Sequence, residues 1–163
     1  MNKEELDMHH QKVVDRLRCF IEIAEENNLV LLHENEANIY GESSTRCLKL
    51  FKSLPYNNFR AVFDPSNFIV AGEDVLNESF GKLKDYIEYI HVKDSRKDTG
   101  EKVVAGKGDG HIPEILDELR HKEGMFLSLE PHLARGGKYG GFTGPELFEE
   151  ALEALRRILI ELK

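Results

Sequence analysis

Four short apolar runs recur along this chain, and each meets an ionisable residue at its end. Leu29–His33 runs into Glu34, Arg60–Phe63 into Asp64, and Met125–Leu129 into Glu130, while Tyr86–Val92 carries His91 as its penultimate residue. The four ionisable positions follow one another at intervals of 30, 27 and 39 residues. A (β/α)8 barrel of about 250 residues repeats about every 31 residues and keeps its active site at the carboxyl ends of its strands. Runs of this kind, separated by helix-length segments, restrict the chain to parallel strands joined by crossovers.

The intervening segments have helical periodicity. Residues 3–27 place Val13, Leu17, Phe20, Ile21 and Ala24 at three- and four-residue steps, with Glu, Lys and Arg between them. Asn27 and Asn28 then offer a left-handed stop. Helices are expected over 44–54, 73–85 and 111–121 on the same grounds, with Ile112, Ile115, Leu116 and Leu119 on one side of the last. A final helix over 143–161 opens on Thr143-Gly-Pro-Glu146, which reads as a capping box with Thr143 as N-cap and Pro145 in the first turn. The expected class is therefore α/β: one helix followed by four parallel βα units, in a single domain over residues 1–163. The Gly-rich stretch 135–144 falls between the last strand and the last helix and divides nothing.

Composition narrows the functions open to such a chain. Its 163 residues suffice for one domain with a core. The net charge of -8 argues against a nucleic-acid partner, because phosphate contacts need clustered Lys and Arg. No apolar run approaches the ~18–20 residues that span a bilayer. Met1–Asp7 is charged and has no signal-peptide core behind it. Two cysteines, Cys19 and Cys47, exclude a disulfide framework, and a reducing cytoplasm is the expected location.

Four consecutive units would bring Glu34, Asp64, His91 and Glu130 to one rim. Two Glu, one Asp and one His suit a divalent ion such as Mn²⁺, Mg²⁺ or Zn²⁺, although polar residues also punctuate strands wherever loops begin. Asn67 could hydrogen-bond a substrate hydroxyl or a ligating group, or hold its own loop. Lys93 lies two residues after His91, on the same face if the strand continues, and could bind an anionic oxygen or lie at the surface. The loop 105–111 (A-G-K-G-D-G-H) could cradle an anion on its backbone N–H groups. In it Asp109 suits a helix cap, or pairs with His111 at a second metal site. Arg135 and Lys138 follow the last strand, where barrels often bind phosphate. Cys19, Cys47 and the apolar stripe of the last helix read as packing residues, His9 and His10 as exposed, and His33 as facing the helical layer.

The segments L-L-H-E-N-E-A-N-I-Y-G (31–41), F-D-P-S-N-F (63–68), Y-I-H-V-K-D (89–94), A-G-K-G-D-G-H-I-P-E (105–114) and S-L-E-P-H (128–132) resemble the xylose-isomerase-like TIM barrels. The resemblance implies a partial barrel, strands five to eight, forming the C-terminal half of the fold. It implies one divalent ion (Mn, Mg, Zn or Co) held by Glu34, Asp64, His91 and Glu130, with Glu36 a competitor for the first position. It further implies an isomerase or epimerase of a sugar or sugar phosphate that moves a proton through an enediolate, with Glu34 and Glu130 as base and acid. Asn67, Lys93, Asp109 and Arg135 are the expected substrate contacts. An inosose-dehydratase-like lyase uses related chemistry, and an inactive half-barrel subunit is the remaining alternative. Since four strands would be missing, the expected partner is a second copy or an N-terminal half-barrel, with no nucleic acid and no membrane.

Overall fold

The computed structural model describes residues 3–133 and 143–162. The elements run α1 (Lys3–Met8), α2 (His10–Glu26), β1 (Leu31–Glu34), a 3₁₀ turn (Tyr40–Glu42), α3 (Ser44–Ser53), β2 (Phe59–Phe63) and α4 (Pro65–Val70). A π-helical turn (Val75–Phe80) leads into α5 (Gly81–Leu83), β3 (Ile87–Val92), the short strands β4 (Asp94–Ser95) and β5 (Lys102–Val103), α6 (Ile112–Leu119), β6 (Phe126–Leu129) and α7 (Pro145–Glu161). β1, β2, β3 and β6 form one sheet in that order, and every neighbouring pair is parallel. This is an α/β fold whose four-stranded parallel sheet is consistent with part of a (β/α)8 barrel.

Strand alternation sends one set of side chains to the helices and the other to the open side. Phe59, Ala61, Phe63, Ile87, Ile90 and Val92 are buried in the core with residues of α2, α3, α6 and α7. Phe51, Phe59, Phe63 and Phe68 are its largest fully buried side chains, each contributing about 1.5–3 kcal/mol by removal from water. A register shift between Ala61 and Val62 brings Tyr89 opposite Val62. The other face carries Glu34, Arg60, Val62, Asp64, Glu88, Tyr89, His91 and Phe126. There Arg60 Nε lies 2.9 Å from Glu88 Oε1, and Phe126, next to Tyr89, is 69 % exposed. That face has no helical cover among the described residues.

Several local expectations change. The first helix breaks at His9 into α1 and α2. Phe20 and Ile23 point to solvent, so the buried stripe of α2 is the narrower Val14, Ile21 and Ala24. Cys19 is exposed, its Sγ donating to Asp15 O, rather than packed. His10 is half-buried against the Tyr40 ring and hydrogen-bonded to Ser53 Oγ, not free in solvent. β1 begins at Leu31, because Leu29 N–H still closes the end of α2 on Ala24 O and Leu31 N–H starts the ladder on Asn58 O. Asn28 adopts φ 56°, the left-handed stop. The expected capping box of the last helix does not form: Gly144 is the N-cap with no side-chain bond, and Thr143 Oγ1 is buried without a partner. Leu159 is 37 % exposed, outside the buried stripe of α7.

Candidate metal centre

The four strand-end side chains reach the open face by one device. Parallel strands carry their carboxyl ends to the same edge, and the inward-facing positions there share a rim. Glu34 closes β1, Asp64 follows β2, His91 is the penultimate residue of β3, and Glu130 follows β6. Glu130 stays in register through its N–H, which donates to Val92 O at 3.2 Å. One donor atom from each of the four lies within 4.8 Å of the others, the only such group among the described residues.

His91 Nδ1 is 2.9 Å from Glu34 Oε1 and 3.7 Å from Glu130 Oε1. Lys93 Nζ is 2.7 Å from Asp64 Oδ2 and 3.7 Å from Glu130 Oε2. The hydrogen bond from His91 holds Glu34 below the usual carboxylate range, and the same bond raises His91. Burial pushes Asp64 up to about 6, against the pull of the Lys93 ammonium. Burial also works against the charge on Lys93, but Asp64 and Glu130 outweigh it and keep Lys93 above its ordinary value.

These residues fit a divalent cation. Three carboxylates are gathered round one imidazole, and the single Lys93 ammonium offsets only part of their charge. Their oxygen and nitrogen donors suit Mg²⁺, Mn²⁺, Zn²⁺ or Co²⁺. Asp64 is fully buried, and its Oδ2 is held by the Lys93 ammonium at 2.7 Å, so an ion at this site would share that oxygen with Lys93 or displace it.

The support behind Asp64 was not legible in the sequence. Asn35 Oδ1 accepts the Asp64 N–H at 2.9 Å, and Asn35 Nδ2 donates to Asp64 O at 3.0 Å. Asn35 is itself buried, and a buried amide that clasps a backbone from both ends fixes that backbone's position. Asn67 N–H caps Asp64 Oδ1 at 2.9 Å, while its amide donates to Asn35 O and to Glu36 Oε2. Asn67 thus joins the two loops through its backbone N–H and its side-chain Nδ2. Glu36 is outside the group of four, its Oε1 accepting the Ala37 N–H.

The glycine-rich loop does cradle an anion, and the anion belongs to the chain. Asp94 Oδ2 accepts the N–H groups of Gly106 and Gly108 at 2.9 and 3.0 Å, and Asp94 Oδ1 those of Ser95 and Gly110 at 2.9 Å each. A Cβ at Gly108 or Gly110 would strike this carboxylate, so both positions need the bare backbone. Asp109 does not cap α6. It is exposed, its Oδ2 accepts the Lys97 N–H at 2.7 Å, and the N-cap is His111 at φ 51°. Asp109 and His111 join no metal-type group among the described residues. His132 Nε2 lies 3.8 Å from Glu130 Oε2. Arg135 and Lys138 lie outside the described residues.

A family model described as xylose isomerase-like TIM barrel matches residues 2–158. A search of curated proteins gives no match. Among solved structures, the chain is similar to the probable 3-DHS dehydratase AsbF of Bacillus anthracis (21 % identity, TM-score 0.69, 92 % of this chain and 57 % of that one). It is similar to D-psicose 3-epimerase with D-tagatose from Clostridium cellulolyticum H10 (16 % identity, TM-score 0.72, 100 % of this chain and 58 % of that one). It is also similar to a xylose isomerase-like TIM barrel protein from Mycobacterium smegmatis in complex with magnesium (16 % identity, TM-score 0.66, 93 % and 52 %). The chain spans little more than half the length of each of these.

Proposed function

We propose a function from one premise: the chain belongs to the xylose isomerase-like TIM barrel family. On that premise the protein is a divalent-metal-dependent isomerase or epimerase of a sugar or sugar phosphate. The observation that carries the reading is the convergence of Glu34, Asp64, His91 and Glu130 within 4.8 Å on the open face of the sheet. Glu34, Asp64, His91 and Glu130 would hold the ion, which when bound polarises carbonyl and hydroxyl oxygens and favours an enediolate.

Glu34 and Glu130 come from the two edge strands, so they approach the substrate from opposite sides. One takes a proton from the carbon beside the carbonyl, and the other returns a proton to the neighbouring carbon or the opposite face. His91 Nδ1, bonded to Glu34 Oε1, would have to give up that contact where the same nitrogen turns to the ion. Lys93 steadies Asp64 and stands near Glu130. A second reading, a lyase that loses water from the same kind of intermediate, is favoured by the similarity to a probable dehydratase.

The test is a Mn²⁺ titration by calorimetry with Glu130→Gln beside the wild type. One ion per chain, bound about tenfold or more weakly in the variant, is the expected result. A folded wild type that takes up no Mn²⁺ overturns the reading. Product analysis on ketoses and on dehydratable cyclic ketones then separates isomerase from lyase. We further infer that the working assembly closes the open sheet face, by a second copy of the chain or by an N-terminal half-barrel.

A further inference from the structure

An ammonium on the β4–β5 hairpin has no role in the cluster described above. Lys102 Nζ donates to Ser66 Oγ at 2.6 Å and to Ser95 Oγ at 2.9 Å, and the two hydroxyl oxygens are 2.5 Å apart. Ser66 lies two residues after Asp64, in the first turn of α4. Ser95 lies two residues after Lys93, on β4. The seat for Lys102 is therefore built on the same two segments that deliver Asp64 and Lys93 to the rim. Lys102 sits within electrostatic reach of Lys93, Asp64 and Glu36.

Its partners set it apart from Lys93. Lys93 lies against the carboxylate of Asp64, whereas both partners of Lys102 are neutral hydroxyls. Among the described residues no carboxylate lies within ion-pair distance of Lys102 Nζ. Burial and the neighbouring Lys93 charge both push Lys102 below its ordinary value. Both serines are fully buried, so no carbonyl carbon can approach either hydroxyl and neither can act as a nucleophile. What they do is aim Nζ. An ammonium has three N–H donors, two are used here, and the side chain is half-buried rather than sealed in the core. Asp64, Glu36 and Asp94 act on Lys102 only from a distance, without an ion-pair contact, so an anion that reaches its remaining N–H gains a charge-assisted hydrogen bond.

We propose that Lys102, aimed by Ser66 and Ser95, binds an anionic group of the substrate, a phosphate monoester or a carboxylate, whose reacting end lies at the neighbouring cluster. The substrate of the proposed reaction is then a sugar phosphate or a sugar acid rather than a neutral sugar. The position of the reacting end rests on the metal-centre reading. The anion seat itself stands apart from it.

The probes are inorganic phosphate and acetate, titrated separately into the full chain labelled with ¹³C at lysine Cε. The Lys102 resonance is identified by its loss in Lys102→Arg. It should move saturably with one probe, and which one distinguishes a phosphate ester from a carboxylate. Calorimetry should show that affinity falls about tenfold or more in Lys102→Gln and is largely kept in Lys102→Arg. Mn²⁺ affinity should be unchanged in Lys102→Gln. A Lys102 resonance that moves with neither probe overturns the proposal without any variant having to fold. So does unchanged anion affinity in a folded Lys102→Gln. If Mn²⁺ fails to bind while the anion response persists and depends on Lys102, the metal reading falls and the anion seat stands.

Discussion

His33 lies on the face of β1 opposite Glu34, with Phe51 and Phe59 beside its ring and Cys47 Sγ 3.8 Å from its Nε2. Gly41 packs so closely that any Cβ there would overlap the imidazole. Burial lowers the pKa of His33 from 6.5 to about 4. Above pH 6.5 the ring is neutral in folded and unfolded chains alike. As pH falls from 6.5 towards 4, the unfolded chain takes up a proton that the folded one refuses, so stability is lost. Asp64, raised to about 6, acts in the opposite sense, since its folded form gains a proton before the unfolded one does. That contribution is common to a wild type and a His33 variant and drops out of their comparison. Urea melts at pH 7 and 4.5 should therefore show a loss about 2–3 kcal/mol smaller in His33→Gln than in the wild type. Equal losses in the two proteins would place His33 in water. The orientation of His33 was legible from strand alternation, because it precedes Glu34 by one residue. The Asp94 cradle was not: its four donors are backbone groups up to sixteen residues away, and no side-chain pattern encodes a carboxylate that folds back onto glycines.

Among the elements, the four main strands were legible because each is an apolar run with a polar stop. The hairpin β4–β5 was hidden, since Asp94–Ser95 and Lys102–Val103 are too short to show alternation. α4 was hidden as well, although Asp64-Pro65 is a cap followed by a proline in the first turn. Read as the place where a strand ends, Asp64 also turned out to start a helix, its Oδ1 accepting the Asn67 N–H. The failed capping box at Thr143 shows the reverse error, a local motif displaced by one residue when Gly144 takes the N-cap. Among the described residues, β2 and β3 have hydrogen-bonded neighbours on both sides, while β1 and β6 have one each. Amide hydrogen exchange should thus be slowest in Phe59–Phe63 and Ile87–Val92 and faster in Leu31–Glu34 and Phe126–Leu129. Equal protection in all four would mean that both edges are covered in solution.

At the scale of the molecule, and among the described residues, the sheet presents two parallel edge strands and leaves Phe126, beside Tyr89, exposed on its open side. β1 and β6 are each four residues long. Two copies turned about an axis running along the strands would place β1 of one beside β6 of the other and close eight strands. Light scattering of the purified chain should give twice 18.7 kDa. A stable mass of 18.7 kDa would rule out closure by a second copy. The spacing of strand ends made the half-barrel pattern readable, but the numbering of its strands within a full barrel rests on resemblance alone.

The order in which the rim is assembled along the chain has a kinetic consequence. Glu34 comes from the first strand and Glu130 from the last, and the last is an edge strand. An ion held by all four side chains would tie the last strand to the first, so β6 could fray only by giving up the Glu130 contact. The ion would act as a latch on that edge, slowing the strand's opening without being released each time the strand breathes.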